Sequence, residues 1–174
     1  MKNWMRVCLF CLTSLIFIGC DRITKSIAKE HLMYREPISY FHNTFRLEYV
    51  ENTGAALSLG DNLSKSVSFW LLSILPLIFL LLVFVYAIRK IRELTTLQLL
   101  SFSMIIAGGL GNIIDRILFD RHVSDFMNIG ISNLRTGIFN FADVCVTAGV
   151  IGLLLSYREK KPQPVIETNE QPVD

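Results

Sequence analysis

The sequence predicts an α-helical membrane protein with four transmembrane helices and both termini cytoplasmic, plus a small extracytoplasmic β-containing segment on the outer membrane surface. Three observations carry this. The 174 residues are 52% hydrophobic with a mean hydropathy of +0.45, too apolar for an ordinary soluble domain. Several uncharged runs approach the roughly 20 helical residues needed to cross about 30 Å of hydrocarbon. Lysine and arginine are densest in the segments that a cytoplasmic N-terminus leaves inside.

The first helix, about 4–28, is the least obvious. Its apolar run over residues 7–20 is only fourteen residues long, signal-like by length alone. Trp4 suits an interface, and Ile23, Ile27 and Ala28 continue an apolar face beyond Asp21. Asp21 and Lys25 stand four apart with the acid first, the favourable order for a helical ion pair at the membrane edge. The extracytoplasmic segment 29–66 follows. Within it FRLEYV (45–50) alternates as a half-buried strand should, Asn52-Thr53-Gly54 supplies turn chemistry, and Tyr34, Tyr40, Phe41, Phe45 and Tyr49 suit an interface.

VSFWLLSILPLIFLLLVFVYAI (67–88) is the clearest span, its Pro76 tolerable in a membrane helix. The third helix, 97–116, has a glycine-rich end, and the fourth, 139–157, is interrupted by Asn140 and Asp143. Between them residues 115–138 form a second outer segment, read as a loop. The inside segments 1–6, 89–96 and 158–174 hold eight of the seventeen basic residues in well under half of the non-membrane length. Residues 1–157 therefore read as one integral-membrane domain, and the polar, proline-containing stretch 158–174 as a disordered cytoplasmic tail.

Composition also excludes. A net charge of +2 with scattered basic residues leaves no nucleic-acid footprint. Cys8, Cys11, Cys20 and Cys145 sit in or beside apolar runs, where free cysteine behaves as a small hydrophobe. His31, His42 and His122 lack ligand spacing and cysteine partners, so no metal is expected.

Ionisable residues at the edge of a bilayer are costly, so their positions are informative. Asn112, Asp115 and Arg116 lie three and four apart near the outer end of the third helix, and Asn140, Asp143 and Thr147 form a similar stripe on the fourth. Two polar stripes at one depth imply a shared site. Gly108, Gly109 and Gly111 permit close backbone approach there. In the loop, Asp125 sits between apolar neighbours in HVSDFMNIG. One reading is a solvated loop charge. The other folds Asp125 against Asp143, where two carboxylates in a low-dielectric site share a proton and one activates water. An intramembrane proton or ion carrier, the rival, needs ionisable groups through the bilayer depth, whereas here they gather at one side. A non-catalytic multi-pass subunit leaves the two aspartates without a role.

DRITK (21–25), ENTGAALS (51–58), GGLGNIIDR (108–116), VSDF (123–126) and FNFAD (139–143) resemble, in order and approximate spacing, the motifs of the lipoprotein signal peptidases, or signal peptidase II, over residues 4–157. The resemblance implies a bacterial inner-membrane aspartyl endopeptidase, active at the outer face, that removes the signal peptide from diacylglyceryl-modified prolipoproteins just before the lipidated cysteine. It implies Asp125 and Asp143 as the catalytic pair, and Asn52, Gly54, Asn112, Arg116 and Asn140 as residues that line the site or hold substrate. Asp21 and Lys25 are implied as structural support. No metal or organic cofactor is implied; lipidated prolipoproteins and membrane lipids are the expected partners, and a monomer the expected state. The chain departs from the family's common pattern with Arg22 for Gln, Asn128 for the second aspartate of DFxD, and Thr136-Gly137-Ile138-Phe139 where a Phe-Pro pair is frequent.

LIFIGCDRITK (15–25) itself looks like a lipoprotein export signal ending at Cys20. Phe17 is unusual three positions before such a cysteine, and cleavage there would delete the helix carrying Asp21 and Lys25. The expectation is an unmodified Cys20 and a retained first helix. A further expectation is that the outer segment around Asn52 closes over bound substrate as a lid.

Overall fold

The computed structural model describes residues 2–54 and 64–158. The expected tail from residue 159 on and the part of the Asn52 segment from residue 55 to 63 lie outside them, while residue 158, expected to open the tail, is the last of a helix. Among the described residues, α1 (Asn3–Leu32), α2 (Lys65–Arg89), α3 (Thr96–Leu118) and α4 (Phe141–Arg158) form a helical bundle. α3 is central and packs against the other three. The first three are each long and apolar enough to cross a bilayer, and α4 is apolar but shorter. Their outward faces expose Ile16, Ile27, Ile78, Phe79, Leu82 and Leu154, a surface that only a lipid solvent makes inexpensive.

The helices exceed the expected bounds at several ends. α1 runs to Leu32 rather than residue 28 because its last turns rest on a sheet. α2 changes from α over Lys65–Phe69 to a π-turn over Trp70–Ile74 and back to α over Leu75–Arg89. The wider turn precedes Pro76, whose missing N–H and ring would otherwise disturb the hydrogen-bond ladder. α3 starts on a capping box, Thr95 Oγ1 accepting from Gln98 N at 3.2 Å and Gln98 Oε1 from Thr95 N at 2.8 Å. Arg6 fastens this end of the bundle by donating from Nε to Ile91 O at 2.7 Å and from Nη2 to Leu94 O.

At the opposite end the small residues of α3 let neighbouring chains close in. A Cβ on Gly108 would strike the Ala142 carbonyl oxygen of α4, and one on Gly111 would lie 2.6 Å from Asp21 Oδ2 of α1. Here the sheet sits, an antiparallel β1-β2-β3-β4 array of Ile38–Tyr40, Phe45–Asn52, Val123–Ile131 and Leu134–Arg135. The segment read as a loop, 115–138, is therefore corrected: it holds β3 and β4, and Asp125 lies on a strand. β3 hid from pattern reading because both its faces are covered, Val123 and Asp125 lining a cavity while Phe126 packs on Ala28 and Leu32 of α1.

β2 is a strand as expected, without the simple alternation of burial. Its register against β3 shifts by one residue between Leu47↔Met127 and Val50↔Asp125, a bulge. The extra residue decides which side chain meets Asp125. With it Asn52 pairs with Val123 and shares the face of Asp125; an unbroken register would turn Glu51 to that face instead.

Candidate active site

Asp125 and Asp143 arrive from different elements and line one cavity of about 360 Å³ together with Asn52, Asn112, Arg116 and Asn140. Asp125 is brought in by β3, and Asp143 by the first turn of α4. A short antiparallel bridge couples the two: Phe139 N donates to Met127 O at 2.8 Å and Met127 N to Phe139 O at 2.8 Å. The chain before α4 is thereby held along β3, and residues 136–139 become a wall of the cavity.

Asn140 ties the carboxylates together. Fully buried, it caps α4 by accepting from Asp143 N at Oδ1, 3.1 Å, while its own N–H donates to Asp143 Oδ2 at 3.0 Å. This is a capping box with aspartate in the reciprocal position. Its amide nitrogen then donates to Asp125 Oδ1 at 2.6 Å and Asn112 Oδ1 at 3.0 Å. The other oxygen of Asp125 accepts from Asn52 Nδ2 at 3.0 Å. Asn112 Nδ2 donates to Asp143 Oδ1 at 2.8 Å. Asp143 thus accepts from two N–H groups at a helix N-terminus, a favourable place for a negative charge.

Asp125 is 3% exposed. Burial pushes its carboxyl up to about 6, with the charge of Asp143 adding to the rise and the donors Asn52 and Asn140 opposing it. Gly54 N donates to Asn52 Oδ1 at 2.9 Å, the expected turn chemistry, which fixes the amide so that its nitrogen faces Asp125. Arg116 donates from Nη2 to Gly54 O at 2.8 Å and so holds that turn over the cavity rim.

Asp21 and Lys25 pair as the spacing suggested, Nζ to Oδ2 at 2.9 Å. Asp115, expected on the face of Asn112 and Arg116, instead turns to α1, with Lys25 Nζ 2.8 Å from Oδ2 and Arg22 on Oδ1. Sequence reasoning missed the partnership of Arg22 and Asp115, and the wall 136–139. Only the helical spacing of Asp115 from Asn112 hinted at a second direction, since α3 carries the two about 60° apart. Thr147, one turn below Asp143, lines the cavity as its stripe implied. Asn128, where the family commonly has aspartate, donates to Thr136 O at 2.7 Å and accepts from Arg135 Nε, so it shapes the loop before α4.

A family profile described as Signal peptidase (SPase) II matches residues 13–158. The lipoprotein signal peptidase of Borrelia duttonii (strain Ly) is 33% identical, the match covering 82% of this chain and 88% of that protein. The lipoprotein signal peptidase of Desulforapulum autotrophicum is also 33% identical, with 81% and 86% covered. A solved bacterial membrane enzyme, determined in meso at 2.3 Å, superposes with a TM-score of 0.71 at 25% identity over 95% of this chain and 94% of its own. With five motifs in order, a multi-pass helical architecture and these relatives, the chain belongs to the signal peptidase II family of bacterial membrane proteases.

Proposed function

We propose that this peptidase is an aspartyl endopeptidase whose reacting groups are Asp125 and Asp143, and that it cleaves diacylglyceryl-modified prolipoproteins just before the lipidated cysteine. The observation that carries this is the pair of carboxylates lining one cavity and bridged by a single buried amide, Asn140. Asp125, buried and raised towards neutrality, holds the shared proton; Asp143, held by N–H donors, works as the carboxylate. Water attacks the scissile carbonyl carbon, giving its proton to Asp143 while Asp125 protonates the carbonyl oxygen. The tetrahedral diol then collapses. The C–N bond breaks, the amine takes the proton from Asp143, and a diol hydroxyl returns one to Asp125, so the pair ends as it began.

The same proposal places all four helices across the bacterial inner membrane. α4, at 18 residues, rises about 27 Å, close to the hydrocarbon thickness, and the ends at Asn3 and Arg158 fall on one side of an up-and-down bundle. The basic density of 89–92 and 158–161 argues that this side is cytoplasmic, which leaves the carboxylates at the outer face where a tethered signal helix presents its end. Lipid-modified prolipoproteins and membrane lipids are then the partners, and one chain supplies every group invoked. Asp21 and Lys25 support that site structurally. Residues 1–157 act as one domain, with Asn52 and Gly54 at the rim of the site. Against an ion carrier stands the absence of charge in α2 between Lys65 and Arg89 and in α3 before Asp115.

The test is cleavage by the purified full chain of a synthetic prolipoprotein with and without its diacylglyceryl group, followed as a gel shift. Only the lipidated substrate is expected to shift; equal processing of both overturns the specificity, and processing of neither overturns the activity. Because α1 is continuous through Cys20 and buries Asp21 and Lys25, intact mass is expected to show Cys20 within a full-length, unlipidated chain. A species starting at a lipidated Cys20 would refute the retained helix.

The pH dependence carries a sign. The donor Asn52 favours the ionised form of Asp125, so Asn52→Ala raises the carboxyl further and its proton is kept to higher pH. For the wild type, kcat/KM is expected to decline above about pH 6, as the free enzyme loses that proton. In Asn52→Ala the alkaline limb moves to higher pH while the maximum falls about tenfold through looser positioning. A limb that stays put or moves down contradicts Asp125 as the acid.

A further inference from the structure

Beside the cavity lies a second charged group that the chemistry above does not use. Asp21, Lys25 and Asp115 are 1%, 3% and 0% exposed. The ammonium of Lys25 donates to Asn112 Oδ1 at 3.0 Å and forms ion pairs with Asp21 Oδ2 at 2.9 Å and Asp115 Oδ2 at 2.8 Å. Arg22 binds Asp115 Oδ1 and lies 3.6 Å from Asp21 Oδ2, bringing the cluster to two cations and two anions. Ion groups of this kind are weak sources of stability, since apolar side chains of similar volume often serve as well.

What apolar side chains cannot do is aim hydrogen bonds, and three members aim one at a group holding a cavity carboxylate. Lys25 can only donate, so it fixes the Asn112 amide with oxygen towards α1 and nitrogen towards Asp143 Oδ1, 2.8 Å away. Asp115 Oδ2 accepts from Ser124 N at 3.4 Å, one residue before Asp125. Asp21 Oδ1 accepts from Ala142 N at 3.1 Å, one residue before Asp143, occupying an otherwise free N–H of the first turn of α4. Gly111 leaves the room this needs, because a Cβ there would crowd Asp21.

We propose that the Asp21–Arg22–Lys25–Asp115 cluster is a positioning device for the carboxylate pair: Lys25 orients Asn112 on Asp143, Asp115 anchors the strand of Asp125, and Asp21 anchors the turn of Asp143. Arg22 adds a second cation beside the two carboxylates. This rests on Asp125 and Asp143 being the reacting pair. The cluster is also felt at a distance, since Asp125 is faced by Lys25 from α1, Arg116 from α3, Asn52 from β2, and Asp143 with Asn140 at the start of α4, and the Lys25 cation favours its ionised form.

The experiment compares Lys25→Met, Asp115→Asn and Asp115→Ala with wild type in the purified full chain, reading kcat, KM, the pH profile and the melting temperature. Lys25→Met is expected to lose about 100-fold in kcat, the scale of a small misplacement, with KM nearly unchanged and the alkaline limb moved to higher pH. Asp115→Asn keeps an oxygen for Ser124 N and is expected to retain most of the kcat, whereas Asp115→Ala loses about 100-fold. A folded Lys25→Met with wild-type kcat and pH profile overturns the proposal. Should Lys25→Met not fold, equal kcat per folded molecule in the two Asp115 variants overturns it. Failure of the underlying function looks different, because then Asp125→Asn and Asp143→Asn cleave like wild type whatever the cluster variants do.

Discussion

Asp143→Asn and Asp125→Asn are each expected to lower cleavage of a lipidated prolipoprotein by at least about 10³-fold, towards the top of the range that positioned acid–base groups supply. The substitutions keep shape and volume, so the loss is chemical. In Asp143→Asn the base that receives the water proton is gone; in Asp125→Asn the acid that protonates the carbonyl oxygen is gone. Neither should unfold the chain. Each carboxylate accepts from two donors, Asp143 from Asn140 N and Asn112 Nδ2, Asp125 from Asn140 Nδ2 and Asn52 Nδ2. An amide keeps one acceptor and turns its nitrogen on the other donor, a conflict of about 1–3 kcal/mol. Cleavage by either variant at wild-type rate would sink the assigned pair. Substrate binding is the internal control: Arg116, the Gly54 turn and the wall 136–139 are untouched, so KM or a co-purification assay should change little.

The parts of this site that could be read from the sequence are those whose signal is local. Asp21 and Lys25 pair because four residues of helix put them together, and Thr147 follows Asp143 into the cavity for the same reason. Asn52-Thr53-Gly54 is a turn because an asparagine side chain satisfies the N–H two residues on. Long apolar runs located α2, α3 and α4 to within a few residues, since hydrophobic length is a one-dimensional property, while α1, whose uncharged run is only fourteen residues, needed the apolar face continued past Asp21.

What escaped is set by tertiary contact. The bulge in β2 leaves no local mark, yet it alone turns Asn52 rather than Glu51 towards Asp125. β3 carries polar and apolar residues on both faces because one lines a cavity and the other covers α1, so its alternation is scrambled. Asp115 joined the wrong stripe because helical spacing gives a direction but not the neighbour lying there; α1 was that neighbour, with Arg22 in place of the family's usual Gln supplying a cation. The role of Asn140 was likewise incomplete. It was expected to line the site, and the structure makes it the cap of the helix whose first turn carries Asp143.

That double duty makes Asn140 the position where a single atom exchange has the largest expected effect outside the pair itself. Asn140→Asp keeps the oxygen that accepts from Asp143 N, so the cap survives; aspartate caps helices as well as asparagine does. It removes the nitrogen that donates to Asp125 Oδ1 and Asn112 Oδ1, and sets an acceptor 2.6 Å and 3.0 Å from them. A third carboxylate then faces a site already carrying two, and repulsion is relieved only by further protonation or by the groups moving apart. The expected outcome is a folded protein with kcat lowered by about 10²–10³-fold, the scale of lost positioning combined with a wrongly charged site, and with its alkaline limb moved to higher pH, since the lost donor and the added negative charge both raise the Asp125 carboxyl. Asn140→Ala is the complement. It loses the cap, at about 1 kcal/mol, and both amide donations, but adds no charge, so it should melt earlier than Asn140→Asp while its pH profile stays nearer to wild type. If Asn140→Asp instead proves the less stable of the two, or shows an unshifted pH profile, Asn140 does not join the cap to the carboxylate pair, and some other contact must hold Asp125 against the end of α4.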